Sequence, residues 1–441
     1  INLIILVNMK KNSIKKTYSL PVVVSIIFAC LGFQINTQAA NVFQEPVQDI
    51  QTSKEFKGHI IDSKTKEPLS YVDINVTGTN IGTISNNEGE FLLKVPTKYL
   101  NSTIKISLLG YAKGEIPISS LKSNDNEILL DVSITQLSNV NIYGIKNAEA
   151  LVRATLDKKN TVYDNNRTKM TAFYRETIKK RNRNASLSEA VLNIYKEPYD
   201  NTKRDVVSLI KARKSTDYSK LDTIALKLQG GPFSTLYTDM IKYPEYVLDR
   251  GNLKDYTFTF DESTQLNNRL VYVVNFKQKI KNNEPLYFGK LYIDSQTLAL
   301  TSAVYNLNVS DRSLASEMFV KKKPNRVKVY PTLASYRVDY RTRNGKWYYG
   351  YGKIELTFKV NWKNKLFNNV YTLSSEMAIT DWKISDETIQ NAEKLRTNVI
   401  LTDKASGFSD PEFWGEYNII EPEKSIENAN KKINKQLQSE T

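Results

Sequence analysis

Apolar and polar residues alternate through much of this chain with a period of two. Val72, Ile74 and Val76 alternate with Asp73, Asn75 and Thr77, the signature of a strand with one dry face. Phe91, Leu93 and Val95 repeat the pattern until Pro96 stops it, and Ile104, Ile106 and Leu108 repeat it again. Residues 58–62 and 128–134 add a first and a last strand. Turn chemistry separates them: Gly78, Thr79 and Asn80, then Asn86, Asn87, Glu88 and Gly89. Short strands at this spacing predict an antiparallel β-sandwich over residues 56–135.

A different pattern fills residues 145–420. Residues 147–159 have the 3.6-residue period of a helix, with Asn147 placed to cap it and Ala150, Leu151, Ala154 and Leu156 on its apolar face. Strands are predicted over 170–178 and 188–195, and short helices near 223–228 and 237–242. Gln229, Gly230, Gly231 and Pro232 read as a loop without the spacing of a phosphate cradle. From residue 254 the chain becomes a meander whose strands are rich in Tyr, Phe and Val, and Asn344-Gly345 is its strongest hairpin signal. Trp347, Tyr349 and Tyr351 hold odd positions, whereas Ile354, Leu356, Phe358 and Val360 hold even ones. That parity switch, with Gly350 and Gly352 at the joint, predicts a bulge. Residues 370–379 then close the sheet. The tail reads as a helix at 386–396, an aromatic loop at 408–417 and a charged helix or tail over 421–441.

The predicted fold is therefore mainly β: an N-terminal sandwich, then an α+β domain built on a large curved antiparallel meander sheet. In general shape the second part resembles the open half-barrel of lipoprotein carriers.

The first domain carries a resemblance. Gly58, Ile60 and Asp62, then Pro68 and Leu69, Val72 to Gly78 and Thr79, Gly82 and Thr83, Asn87, Gly89, Phe91 and Leu93, and finally Leu109, Gly110 and Tyr111 resemble the carboxypeptidase-regulatory-like domain. That resemblance implies a prealbumin-like sandwich, common in exported proteins of Bacteroidota, which serves as a structural or binding appendage without catalytic residues. Asn86 and Asn87 stand where the family usually has Asp in the turn, and Asn suits the same geometry. The domain also heads many TonB-dependent receptors. The 306 residues after position 135 are too few for a plug and a 22-stranded barrel at roughly 10 residues per strand plus loops. The layout as a whole, including Phe173, Tyr174, Arg175 and Glu176, resembles uncharacterised envelope proteins of the same group, which implies no activity.

The amino terminus changes the picture of where the chain works. Met9 reads as the start, and Lys10, Lys11, Lys15 and Lys16 precede a short apolar run at 20–33 and the small residues Thr37 and Ala39. Residues 1–39 thus read as a leader and signal peptide, and 40–55 as a linker. The apolar run is short for a spanning helix, so no membrane-spanning segment is expected in the mature chain. Cys30, after Ile27, Phe28 and Ala29, also resembles a lipobox cysteine, so lipidation there and soluble export both stand as outcomes. The chain of 441 residues has a net charge of +15, and the leader's four lysines supply four of those charges. An exported basic protein meets anionic lipid or acidic glycan rather than nucleic acid.

One histidine, His59, and one cysteine exclude most nucleophilic and metal chemistry, and no catalytic, metal or cofactor residue is assigned. Glu176, Glu189, Asp294, Asp339 and Glu355 lie on or beside strands and read as ion-pair partners, Glu176 with Arg175 and Lys179. Candidate surface contacts are Lys321, Lys322 and Lys323, for anionic lipid or glycan, and Trp347, Tyr349 and Tyr351, for stacking on sugar rings. Tyrosine, at 26 against 16 phenylalanines, points to half-wet aromatic sheet surface. The sequence thus predicts a non-enzymatic exported protein, periplasmic or outer-membrane associated, that binds an envelope protein, glycan or lipid surface. The alternatives are a carrier of an apolar ligand on the curved sheet and a carboxylate-dependent glycan hydrolase.

Overall fold

The computed structural model describes residues 2–6, 52–133, 147–216, 225–279, 284–363, 368–406 and 412–428. Cys30 and the rest of the leader beyond residue 6, the linker as far as residue 51 and most of the 421–441 helix or tail lie outside them. The described part of that tail is helical at 424–428.

After a short strand β1 (Asn2–Leu6), strands β2 (Ser53–Asp62), β3 (Asp73–Val76), β4 (Gly82–Ile84), β5 (Glu90–Pro96), β6 (Thr103–Ser107), β7 (Gly114–Pro117) and β8 (Asn126–Leu130) form the sandwich. One sheet has the order β5-β2-β8 and the other β4-β3-β6-β7. The expected antiparallel arrangement has one exception, because β2 and β8 pair in parallel from Gly58–Asn126 to Asp62–Leu130. Phe56, Ile60, Ile74, Val76, Phe91, Leu93, Ile104 and Ile106 fill the space between the sheets, as the alternation predicts. His59 sits outside that core, hydrogen-bonded to Glu90 at 3.1 Å.

The remainder is built on α1 (Ala148–Asp157), α2 (Lys159–Val162), β9 (Thr168–Lys180), β10 (Arg183–Lys196), β11 (Val206–Thr216), β12 (Ala225–Gln229), α3 (Pro232–Leu236), β13 (Tyr256–Leu266), β14 (Arg269–Gln278), β15 (Tyr287–Asp294), β16 (Leu300–Leu307), α4 (Arg312–Phe319), β17 (Val320–Lys322), β18 (Val327–Arg343), β19 (Lys346–Trp362) and β20 (Asn369–Ile384). Ten of these strands make one antiparallel sheet in the order β11-β10-β9-β20-β19-β18-β16-β15-β14-β13. Pairing of β20 with β9 joins the meander to the earlier hairpin. Asn344 and Gly345 both take positive φ, +50° and +75°, the backbone of a tight hairpin turn. The bulge falls at Gly350, where register jumps from Asp339–Tyr351 to Tyr340–Tyr349. A Cβ there would fall 2.7 Å from the Arg341 side chain.

Several elements differ from expectation. Residues 225–229 form β12 rather than a helix, because they pair in parallel with β1, which also pairs with β17. A short apolar run cannot be assigned by period alone, and here the long-range pairing decides. The helix of this region is α3, begun by Pro232. Residues 386–396 are not helical; they include a turn at 391–393 and then meet β11, with Lys394 bridged to Ser208 and Leu395 N–H donating to Val207 C=O at 2.8 Å.

One face of the large sheet, the inner face, is covered by α1 and by the almost wholly buried segment 229–248. Tyr163, Tyr199, Tyr256, Tyr287, Tyr305, Tyr336 and Tyr349 belong to this core, so the tyrosines are dry rather than half-wet. Many keep their hydroxyls satisfied inside: Tyr163 donates to Leu300 C=O at 2.9 Å and Tyr349 to Thr235 C=O at 3.0 Å. Asp239 fastens the covering segment. It accepts from Lys196 Nζ at 2.9 Å, Tyr199 OH at 2.8 Å and Tyr340 OH at 2.9 Å, while Asp205 takes a second Lys196 contact at 2.9 Å. The inner face of the sheet is thus occupied by the chain itself.

Candidate functional site

Strand alternation puts Phe173 and Arg175 on the outer face and Tyr174 and Glu176 on the inner one. Glu176 is therefore not the partner of Arg175. It is buried and accepts from Tyr174 OH at 2.9 Å, and burial pushes its carboxyl up to about 8. Arg175 instead pairs with Glu189 at 2.7 Å and Glu376 at 3.5 Å.

Those pairs belong to a row of direct cross-strand neighbours on the outer face. Register places Lys290, Val304, Arg337, Lys353, Glu376, Arg175, Glu189 and Arg213 side by side on β15, β16, β18, β19, β20, β9, β10 and β11. Opposite charges meet directly at Lys353–Glu376–Arg175–Glu189–Arg213, a favourable cross-strand arrangement. Burial opposes the charge on Lys353, but Glu376 and Tyr71 more than offset it and hold its pKa above the ordinary lysine value.

The sandwich and the segment 412–428 pack on this outer face. Ile84 and Leu92 of the sandwich, Phe173, Val191, Tyr351 and Ala378 of the sheet, and Trp414, Ile419 and Ile420 of the segment form one apolar cluster. Arg175 Nη2 donates to Ile420 C=O at 2.7 Å and Thr83 Oγ1 to Ile419 C=O at 2.9 Å. Asn418 mimics a strand neighbour, accepting from Lys94 N–H at 2.6 Å and donating to Lys94 C=O at 3.1 Å. The segment thereby straps the two bodies together.

Beside the strap, the sandwich and sheet leave a cleft of about 690 Å³. The sandwich contributes Tyr71, Asp73, Asn75, Lys105 and Lys113; the sheet contributes Arg269, Arg337, Asp339, Arg341 and Arg343. Tyr71 is held at φ +61°, a left-handed conformation that is unusual for a bulky residue. Its ring lies 4.8 Å from the Arg337 guanidinium and 4.9 Å from Lys353 Nζ, and its hydroxyl accepts from Lys353 at 2.6 Å. Arg341 pairs with Asp73 across the two bodies. Burial raises the Asp73 carboxyl above its usual range, with Arg341 pulling the other way. Asp339 accepts from Arg337 Nε and Ser302 Oγ, each at 2.6 Å. Arg343 reaches Asn80 and Gly78 C=O, and Arg269 lies 5.4 Å over the Trp347 ring. Among the described residues the lining holds neither histidine nor cysteine, and no His, Cys, Asp and Glu cluster suited to a metal ion occurs.

The surface contacts read from sequence divide sharply. Lys321, Lys322 and Lys323 are exposed, with Lys321 donating to Gln229 at 2.9 Å and Lys323 to Val327 C=O at 3.0 Å. Trp347, Tyr349 and Tyr351 are 1%, 0% and 1% exposed, so they are packing residues and no stacking platform. The bulge sends Tyr351 to the outer cluster while Trp347 and Tyr349 stay in the inner core. The two groups also stand at opposite ends of the β18–β19 hairpin, whose strands of 17 residues each span roughly 50 Å. The sequence reading missed Lys105, Arg269, Arg341, Arg343 and Tyr71. Their only signal was polarity at outward positions, which becomes a site only when two distant bodies meet.

The sandwich order, with its Gly89 turn and parallel β2–β8 pair, sits where a family comparison also points. Residues 56–142 match the CarboxypepD_reg-like domain. No curated protein matches the chain. Among solved structures, the chain is similar to a LolA superfamily protein of Nitrosomonas europaea, with 10% identity, 55% of this chain and 95% of that chain covered, and a TM-score of 0.22. A DUF1329 family protein of Desulfovibrio piger gives 12% identity, coverage of 56% and 95%, and a TM-score of 0.20. A lipovitellin structure gives 7%, coverage of 56% and 28%, and 0.26. Similarity at this level leaves the chain's own residues to carry the functional argument. No helix among the described residues is long and apolar enough to cross a membrane.

Proposed function

We propose that this chain is an exported, non-enzymatic binding protein of the cell envelope whose ligand site is the cleft between sandwich and sheet. What the cleft recognises is an acidic group. The observation that carries this reading is the charge of the lining. Lys105, Lys113, Arg269, Arg337, Arg341 and Arg343 surround the cleft, and the four carboxylates paired with them, Glu115, Asp294, Asp339 and Asp73, leave a net positive balance. A partly enclosed wall with that balance focuses positive potential and draws anions in. The basic and then apolar pattern from Met9 to Ala39 supports export, and cleavage after Ala39 would also remove β1, which lies ahead of Met9. Asp73 and Asp339 are both engaged by arginines, which supports binding rather than acid–base turnover.

Calorimetry of the purified protein with glycerol 3-phosphate, galacturonate and glucose tests this. The two anions bind, the neutral sugar does not, and rising salt weakens the binding. Lys105→Glu with Lys113→Glu lowers the anion affinity about tenfold or more, as reversal of rim charges does. Equal binding of glucose, or hydrolysis of a glycan substrate by the pure protein, would overturn the reading.

A further inference from the structure

The outer face of the sheet continues beyond the cleft. On β13–β16 it carries a second hollow of about 570 Å³, whose lining includes Phe288, Lys290, Tyr292, Val304, Asn306 and Lys277. Phe288 leaves 43% of its surface in solvent, one of several large apolar side chains this sheet exposes, with Phe260 on β13 and Ile384 on β20. Neither the strap nor the sandwich supplies a residue to this lining.

The two hollows adjoin. Lys290, Val304 and Arg337 are direct neighbours on β15, β16 and β18, as are Tyr292, Ser302 and Asp339. In each trio the first residue lines the groove and the last lines the cleft. Burial raises the Tyr292 hydroxyl pKa, and the charges of Lys290, Arg337 and Asp339 all reach it, which places Tyr292 at the junction. From β18 to β13 the face spans four inter-strand steps, about 19 Å. That is the reach of a chain rather than of a single small group. A cationic pocket at one end and an apolar trough at the other are complementary to a molecule with the same two parts.

We infer that one ligand occupies both hollows: an amphiphile whose acidic head sits in the cleft and whose apolar chain lies in the groove over Phe288, Tyr292 and Val304. This rests on the reading of the cleft as the ligand site. It also places the ligand on the outer face, since the inner face is filled by residues 229–248. Lys290, held by Asp261 at 2.7 Å, lies between Phe288 and Tyr292, in a cross-strand row with Thr259, Asn275 and Val304. The apolar surface of the trough is therefore Phe288, Tyr292, Val304 and the aliphatic stems of Lys277 and Lys290.

Calorimetry below micelle-forming concentrations tests the inference. The probes are a 14-carbon lysophosphatidylglycerol, lysophosphatidylcholine with the same chain, myristate, and glycerol 3-phosphate as the head alone. Lysophosphatidylglycerol binds at least tenfold more tightly than glycerol 3-phosphate and than lysophosphatidylcholine. Comparison with myristate distinguishes a phosphate head from a carboxylate one, and either result supports an acidic amphiphile. Phe288→Asp, or the milder Phe288→Ser, removes the gain from the chain and leaves head binding unchanged. Both act at an exposed position, and circular dichroism checks the fold. Lys105→Glu removes the preference for acidic heads. If the chain adds no affinity, or both Phe288 variants keep its full gain, the amphiphile is overturned while the cleft remains an anion site. If none of lysophosphatidylglycerol, glycerol 3-phosphate and myristate binds the unmodified protein, both readings fall.

Discussion

Glu189 on β10 serves two arginines at once, taking Arg175 Nε of β9 on Oε1 at 2.8 Å and Arg213 Nε of β11 on Oε2 at 2.9 Å. Its side chain and that of Arg175 are almost wholly buried, so neither charge has water to fall back on. Glu189→Gln is expected to destabilise the protein by about 3–5 kcal/mol, the cost of stranding a buried charge. The double variant Glu189→Leu, Arg175→Met should lose less, because it removes the two most deeply buried charges and leaves Arg213 and Glu376, which keep some contact with solvent. Urea unfolding of the three proteins measures the difference.

The strap gives a second expectation. Ile420 is buried in the cluster shared by sandwich, sheet and strap, so Ile420→Ala should cost about 2–5 kcal/mol through the cavity it leaves. Ile420→Asp should go further and undock the strap. Scanning calorimetry would then resolve two transitions, with the sandwich and the large sheet melting separately, and limited proteolysis would cut first within residues 412–428.

The buried carboxyl of Glu176 predicts a pH dependence. Its folded pKa of about 8 lies above the ordinary value of 4.5, so the folded state holds a proton that the unfolded chain has released between those values. Stability from this group is therefore greatest below pH 4.5 and declines as pH rises toward 8, by roughly 1 kcal/mol per unit. Glu176→Gln should flatten that slope and exceed the unmodified protein in stability at pH 8. Unfolding curves at pH 5, 6.5 and 8 test it.

Asp239 predicts a local effect. Asp239→Asn removes the anion that Lys196, Tyr199 and Tyr340 share and leaves Lys196 with Asp205 alone. A loss of about 3 kcal/mol or more is expected. Amide exchange should speed up in segment 229–248 before it does in β9 and β10, because that segment is what Asp239 anchors.

Local rules made much of the fold legible. Asn344-Gly345 announced the hairpin, and the parity change around Gly350 located the bulge, because both depend on residues next to each other in sequence. The apolar alternation placed the sandwich core residue by residue. What escaped was decided at long range. The 225–229 segment became a strand through β1, and residues 386–396 lost the expected helix where Lys394 and Leu395 take backbone partners on β11. Trp347 and Tyr349 looked like a stacking surface because nothing local reveals that segment 229–248 covers the inner face. The cleft was invisible for the same reason. Tyr71, Lys105 and Arg341 become neighbours only when sandwich and sheet dock, and no periodicity in either body records the other.

The strap is made after everything it fastens. Residues 412–428 leave the ribosome later than β2 to β8 and later than β20, the strand that completes the sheet. A chain cut short before Ile420 would keep the direct contacts of Arg341 with Asp73, Lys353 with Tyr71 and Arg343 with Gly78, but not the apolar cluster that clamps the sandwich to the sheet.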